Sequence, residues 1–157
     1  MEKLPDYKDI LSDLATKYDG WFNAHSHLDR AGTLDVNYWN YVGINPMQVA
    51  TYPLKAKQNL VGDLHKGPAY TKEDLEQRMA AILELMIKCN TRRVDTLIDA
   101  SSDIGTVAID AALKIKKEFM PRIDVRIGTQ PIFGFKDCKR HPERWEGAVA
   151  EGDQKFF

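Results

Sequence analysis

Residues 94–129 constrain the fold more than any other stretch. The run 94–98, Val-Asp-Thr-Leu-Ile, has the β-branched content of a strand, and 125–129 follows as a second. Between them, Ala108, Ala111, Ala112, Ile115 and Phe119 recur at helical spacing over 105–120, and Pro121 ends the pattern. Strand, helix, strand within about 35 residues is a βαβ unit, which requires parallel strands and a right-handed crossover. An α/β architecture with a parallel sheet follows from this stretch alone. Just upstream, Thr71 reads as an N-cap with Glu73 and Asp74 in the first helical turn. The stripe Leu75, Met79, Ile82, Leu83 and Met86 then predicts a helix to about residue 89, with its methionines in the core.

The chain opens on a further predicted helix, 5–18, in which Leu11, Leu14 and Tyr18 recur beside Ile10 and which Asp19-Gly20 ends as a turn. Trp21 and Phe22 then begin a short strand that runs into Asn23-Ala24-His25-Ser26-His27-Leu28-Asp29-Arg30. Residues two apart on a strand project from one face, so His25 and His27 offer two imidazoles to one metal ion, with Asp29 on the same side if the strand continues. Imidazole suits zinc, iron and nickel, and a catalytic zinc takes three protein ligands and keeps a position open for water. The plain alternative is two histidines at a strand end with no ligand at all.

The run His25-Ser26-His27-Leu28-Asp29-Arg30 resembles the first-strand motif of the amidohydrolase superfamily, most closely that of cytosine deaminases and adenosine-deaminase-like enzymes. The resemblance implies an α/β fold, the N-terminal portion of a (β/α)8 TIM barrel with parallel strands. It also implies that His25 and His27 hold one divalent metal, zinc or else iron. In such enzymes a metal-activated water hydrolyses a C–N bond of a small, often cyclic, nitrogen compound. The remaining ligands and the general base are expected on later strands, after the end of this sequence. The likeness runs from about residue 22 to 137 and is interrupted by a long loop. Only the histidine run is specific to the family.

On the substrate side the resemblance and the strand-end positions single out Asp29, Asp99 and Gln130. Asp99 closes the strand at 94–98 and Gln130 follows the strand at 125–129. For Asp99 the competing role is to cap the next segment through its own side chain. Two departures stand against cytosine itself. Asp95 and Leu97 occupy the positions of an arginine and a histidine in the Arg-Thr-His-Val-Asp run of cytosine deaminases. Their Phe-Pro-Gln-Glu-Gly run is met here by Gln130-Pro131-Ile132-Phe133-Gly134, which puts Ile132 in place of the substrate-binding amide.

Residues 29–70 carry glycines at 32, 43, 62 and 67, prolines at 46, 53 and 68, and, before Tyr70 closes the stretch, four aromatics, Tyr38, Trp39, Tyr41 and Tyr52. So long a stretch is either a functional lid or conceals short helices. His65 reads as an exposed loop histidine. Past Gly134, the basic cluster around Lys139 and Arg140, and His141 before Pro142, read as a solvated face.

Length bears on the barrel directly. The chain has 157 residues, whereas such barrels typically need about 250 and at least about 200. The expectation is therefore one partial domain over 1–157, the N-terminal part of a longer enzyme, which would leave strand edges free for a possible homo-oligomer. A net charge of −1 gives no electrostatic case for nucleic acid or a membrane surface. Two widely spaced cysteines suggest neither a disulfide framework nor a thiolate metal site. No apolar run reaches spanning length, and the cytoplasm is the default compartment. Two other functions fit parts of the sequence. A phosphoesterase with a His-x-His barrel site would need a second ligand cluster soon downstream. A non-catalytic binding module would fit a natural chain ending at 157.

Overall fold

The computed structural model describes residues 6–133. The basic cluster and His141 lie outside the described residues. The helix α1 (Tyr7–Lys17) leads into strand β1 (Trp21–Ser26), and four short helical pieces follow. These are α2 (Val36–Val42), α3 (Pro46–Val49), α4 (Leu54–His65) and a 3₁₀ turn at Pro68–Tyr70. The long helix α5 (Lys72–Lys88), strand β2 (Thr91–Asp99), helix α6 (Val107–Phe119) and strand β3 (Asp124–Gln130) complete the order. The stretch 29–70 thus conceals short helices.

Local chemistry explains where elements begin and end. Thr71 accepts from the Asp74 amide and caps α5, and Asp35 and Asn45 cap α2 and α3 in the same way. Gly20 turns the chain from α1 into β1 at φ 102°, where a Cβ would lie 2.6 Å from the Asn90 carbonyl oxygen. Only glycine permits that conformation and that approach. Across the same junction the Trp21 amide donates to Asn90 O at 2.8 Å, which aligns the starts of β1 and β2.

The sheet has the order β1-β2-β3 and both pairs are parallel. The βαβ expectation therefore holds in its strands and connection. The barrel does not. Three strands form an open sheet, joined by six α-helices among the described residues, and β1 and β3 remain its edges. Closing a barrel of this kind takes about eight tilted strands whose register staggers round to meet the first, and nothing here meets that condition. The expected TIM-barrel portion is replaced by a small open-sheet α/β domain. A βαβ unit is common to open and closed sheets, so the pattern over 94–129 had no power to distinguish them.

The core lies on one face of this sheet. Helices α5 and α6 pack side by side and against β2. Leu75, Met79 and Leu83 from α5 meet Ala108, Ile109 and Ile115 from α6 over Val94, Ile98 and Ile127. Along β2 the even-numbered residues 94–98 are buried, while Arg93, Asp95 and Leu97 on the other face are half-buried. Asp99 continues the odd-numbered series at the C-terminal end of β2, where it is fully buried.

Candidate functional site

The strand ends gather an extended polar cluster. β1 stops pairing at Ser26, and Thr96 carries the chain onward: its hydroxyl donates to Ser26 O at 3.2 Å and accepts from the Leu28 amide at 3.0 Å. This side-chain splice holds His27 at the strand end. The rings of His25 and His27 stand edge to face with centroids 5.0 Å apart, His25 exposed and His27 half-buried.

Asp99 is the hub. Its side chain is fully buried, yet it accepts from Arg30 through Nε at 2.9 Å and through Nη2, from Gln130 Nε2 at 2.8 Å, and from Tyr70 Oη at 3.2 Å. His65 Nε2 faces it at 3.2 Å. Register places Gln130 there, because Asp99 and Gln130 are opposed partners in the β2–β3 ladder and share a face. Burial pushes the Asp99 carboxyl upward. The hydrogen bonds from His65, Arg30 and Gln130, with the Arg30 charge, outweigh it and hold the group below the usual carboxylate range.

Asp29 sits beside it with the opposite outcome. Its Oδ2 accepts from the Asp99 amide at 2.9 Å and from Tyr70 Oη at 3.1 Å. Its Oδ1 is buried without a hydrogen-bond partner among the described residues. Complete burial, followed by the Asp99 charge, pushes Asp29 up to about 7. Two neighbouring carboxyls thus divide the roles, one anionic and one easily protonated. Tyr70, caught between them, is raised by burial first and then by both acidic charges.

His65 belongs to this cluster and not to an exposed loop. It ends α4, is 7% exposed, and faces Asp103 through Nδ1 at 2.6 Å as well as Asp99 through Nε2. A carboxylate oxygen at each nitrogen favours the doubly protonated, cationic ring. Burial opposes that charge, and the bonds to Asp103 and Asp99 overcome it, so its pKa is raised. Asp103, also hydrogen-bonded by Ser101, lines a cavity of about 330 Å³ with Asn59, Gly62, Asp63, Lys66 and Phe133. His27, in contrast, is lowered by burial and then by the charges of Arg30 and His25.

Arg78 fixes the loop that leaves this site. From α5 it donates to the carbonyl oxygens of Asp29 at 2.8 Å, Ala31 at 2.6 Å and Ala69, and it pairs with Asp74. The four loop aromatics take other places. Trp39 is buried, Tyr38 donates to Asp74, Tyr41 donates to the Lys66 carbonyl, and Tyr52 is exposed.

All five residues singled out from the sequence lie at the strand ends. His27, Gln130, Asp99 and Asp29 form one connected chain, since Gln130 Nε2 also lies 3.4 Å from His27 Nδ1, and His25 stacks against His27. Four other members carried no assigned role: Arg30, His65, Tyr70 and Arg78. Arg78 had left a signal. It falls three residues after Leu75 and four before Ile82, inside the apolar stripe of α5, where a buried arginine needs partners. His65, adjacent to Leu64 and five residues after Leu60, had none comparable.

The rings of His25 and His27 are adjacent, although β1 ends at Ser26 and His27 lies one residue beyond it. Among the described residues, no group of three His, Cys, Asp or Glu side chains is arranged to hold a metal. A catalytic zinc takes three protein ligands, and these two histidines alone do not reach that number. The same count leaves the two-cluster phosphoesterase without its second cluster among the described residues.

No family model matches the sequence. A protein of Haemophilus influenzae described as uncharacterized is 27% identical over 131 residues. That match takes in 82% of this chain and 43% of the relative, so the chain spans less than half of the relative's length. Among the described residues no helix is long and apolar enough to cross a membrane.

Proposed function

We propose that this chain supplies part of the active site of a metal-dependent hydrolase of the amidohydrolase type, acting on a C–N bond of a small nitrogen compound. The observation that carries it is the placement of His25 and His27 as adjacent rings at an open strand end, backed by a buried, charge-ordered cluster. Such a cluster costs folding energy to desolvate, and perturbed carboxyls gathered at strand ends mark functional sites more often than structural ones. In this reading His25 and His27 hold zinc or iron, and further ligands come from outside the described residues. The bound metal supplies a hydroxide at neutral pH and polarises the bond under attack.

The other side chains organise the site. Asp99 orders Arg30, His65 and Gln130, while Tyr70 separates it from Asp29. Gln130 is half-buried and the member of the Asp29, Asp99, Gln130 set placed to meet a substrate. Leu97 and Ile132, both half-buried, put no polar group where cytosine would need one. The exposed, unpaired Cys89 suits a reducing compartment such as the cytoplasm.

Equilibrium zinc binding by the full chain, beside His25→Ala and His27→Ala, tests the ligand pair. Each variant should lose about tenfold or more in affinity. Ammonia release should be screened over cyclic and linear amides, with cytosine not the preferred substrate. Zinc binding that neither substitution alters would overturn the proposal.

A further inference from the structure

The geometry points to Gln130 as the residue that selects the tautomer of His27 and so competes with a metal for that ring. Asp99 fixes the orientation of the Gln130 amide. That carboxylate is an acceptor only, and it already receives Arg30 and faces His65 Nε2. The Gln130 amide meets it at 2.8 Å, so the group turned toward Asp99 must be the NH₂ and not the carbonyl. Turning the amide over would set two acceptors against each other.

The same nitrogen lies 3.4 Å from His27 Nδ1. Its second hydrogen can be used there only if Nδ1 carries a lone pair. Gln130 therefore holds His27 with hydrogen on Nε2. A metal that binds through Nε2 needs the proton moved to Nδ1, where it would face the amide N–H. A metal that binds through Nδ1 must displace Gln130 outright. Either way, the contact between Gln130 and His27 and the ligation of His27 exclude each other. Metal-bound histidines ordinarily donate their second nitrogen to an acceptor, and Gln130 presents a donor. The ring also hydrogen-bonds the Leu97 backbone.

Long-range ¹H–¹⁵N spectra of the full chain labelled at histidine, treated with chelator and held where imidazoles are neutral, read the tautomer directly. In the wild type His27 should show hydrogen on Nε2 and a bare Nδ1. Gln130→Met should release it to a mixture. Gln130→Glu should reverse it, because a carboxylate accepts from Nδ1–H, and it serves as the second variant should Gln130→Met fold poorly. A wild-type His27 with hydrogen on Nδ1, or a tautomer that both substitutions leave unchanged, overturns the inference. The competition arm rests on the metal proposal: Gln130→Met should bind zinc about three- to tenfold more tightly than the wild type, the equivalent of one net hydrogen bond. Zinc bound by the wild type but no tighter by Gln130→Met overturns the competition. The spectra decide the tautomer independently, so a chain that binds no zinc at all sinks the metal proposal and the competition while leaving the tautomer assignment to stand or fall by itself.

Discussion

Helices α5 and α1 both carry apolar side chains at helical spacing, and the two ends of the molecule treat them differently. In α5, Leu75, Met79 and Leu83 are fully buried against α6 and the sheet. In α1, Tyr7, Ile10, Leu11, Leu14 and Tyr18 are all exposed, and only Ala15 is buried. The strands follow suit: β2 is buried along one face, while Trp21 and Phe22 of β1 lie open. Periodicity gives a helix an apolar side. Whether that side is buried depends on a second surface being there to meet it, and among the described residues α1 has none.

The largest effect that should separate the two regions comes from Met79. Replacement by alanine removes a side chain with no exposed surface and leaves a cavity between α5 and β2. Urea denaturation should show a loss of about 2–5 kcal/mol. A loss below about 1 kcal/mol would mean that the two regions are equally loose.

The polar cluster joins the regions, since Arg30 and His65 reach Asp99 from the stretch that follows β1. Its signature should be a pH dependence. His65 has a folded pKa above its ordinary 6.5, so its stabilising contribution is complete below about 6.5 and is lost as pH rises through the folded value. Asp29, lifted from 3.8 to about 7, adds a loss in the same direction over that interval. Asp103 is lowered, so its contribution holds above about 3.8 and disappears as pH falls through its folded value. Thermal unfolding should therefore weaken on the alkaline side, with a slope of at most about 1.4 kcal/mol per pH unit for each proton released. His65→Gln should flatten the part of the curve above pH 6.5. An unchanged slope in that variant would remove His65 from the account.

The smallest effect belongs to α1. Leu14→Ser replaces a side chain that is 38% exposed and should change stability by no more than about 0.5 kcal/mol. A cost near that of Met79→Ala would show that the face of α1 is covered in solution and would end the contrast.

Much of the secondary structure was legible because its signals are local. The Thr71 cap, the α5 stripe, the stop at Pro121 and the β-branched runs of β2 and β3 each depend on neighbours a few residues away. The closeness of the histidine pair was legible for the same reason, since the two residues are separated by one position in the chain. The closure of the sheet was not legible. A βαβ unit is identical in an open sheet and in a barrel, and the difference lies in strands that the local pattern does not contain.

Asp29, Asp99 and Gln130 could be placed near the strand ends from the sequence, but their division of labour could not. Asp29 and Asp99 are the same residue type in similar company. One is held anionic and the other lifted to about 7 only because Arg30, His65 and Gln130 converge on Asp99, while Asp29 keeps a buried oxygen without a partner among the described residues. His65 arrives from 34 residues away in the chain and Gln130 from 31. Sequence by itself determined α1, α5, α6, the parallel strands and the closeness of His25 and His27, because short-range sterics and hydrogen bonds are enough for those. Tertiary structure alone decided the open sheet, the bare face of α1 and the charge state of each buried carboxyl. Those depend on which distant surfaces and donors come within a few ångströms, where desolvation and Coulomb terms become large.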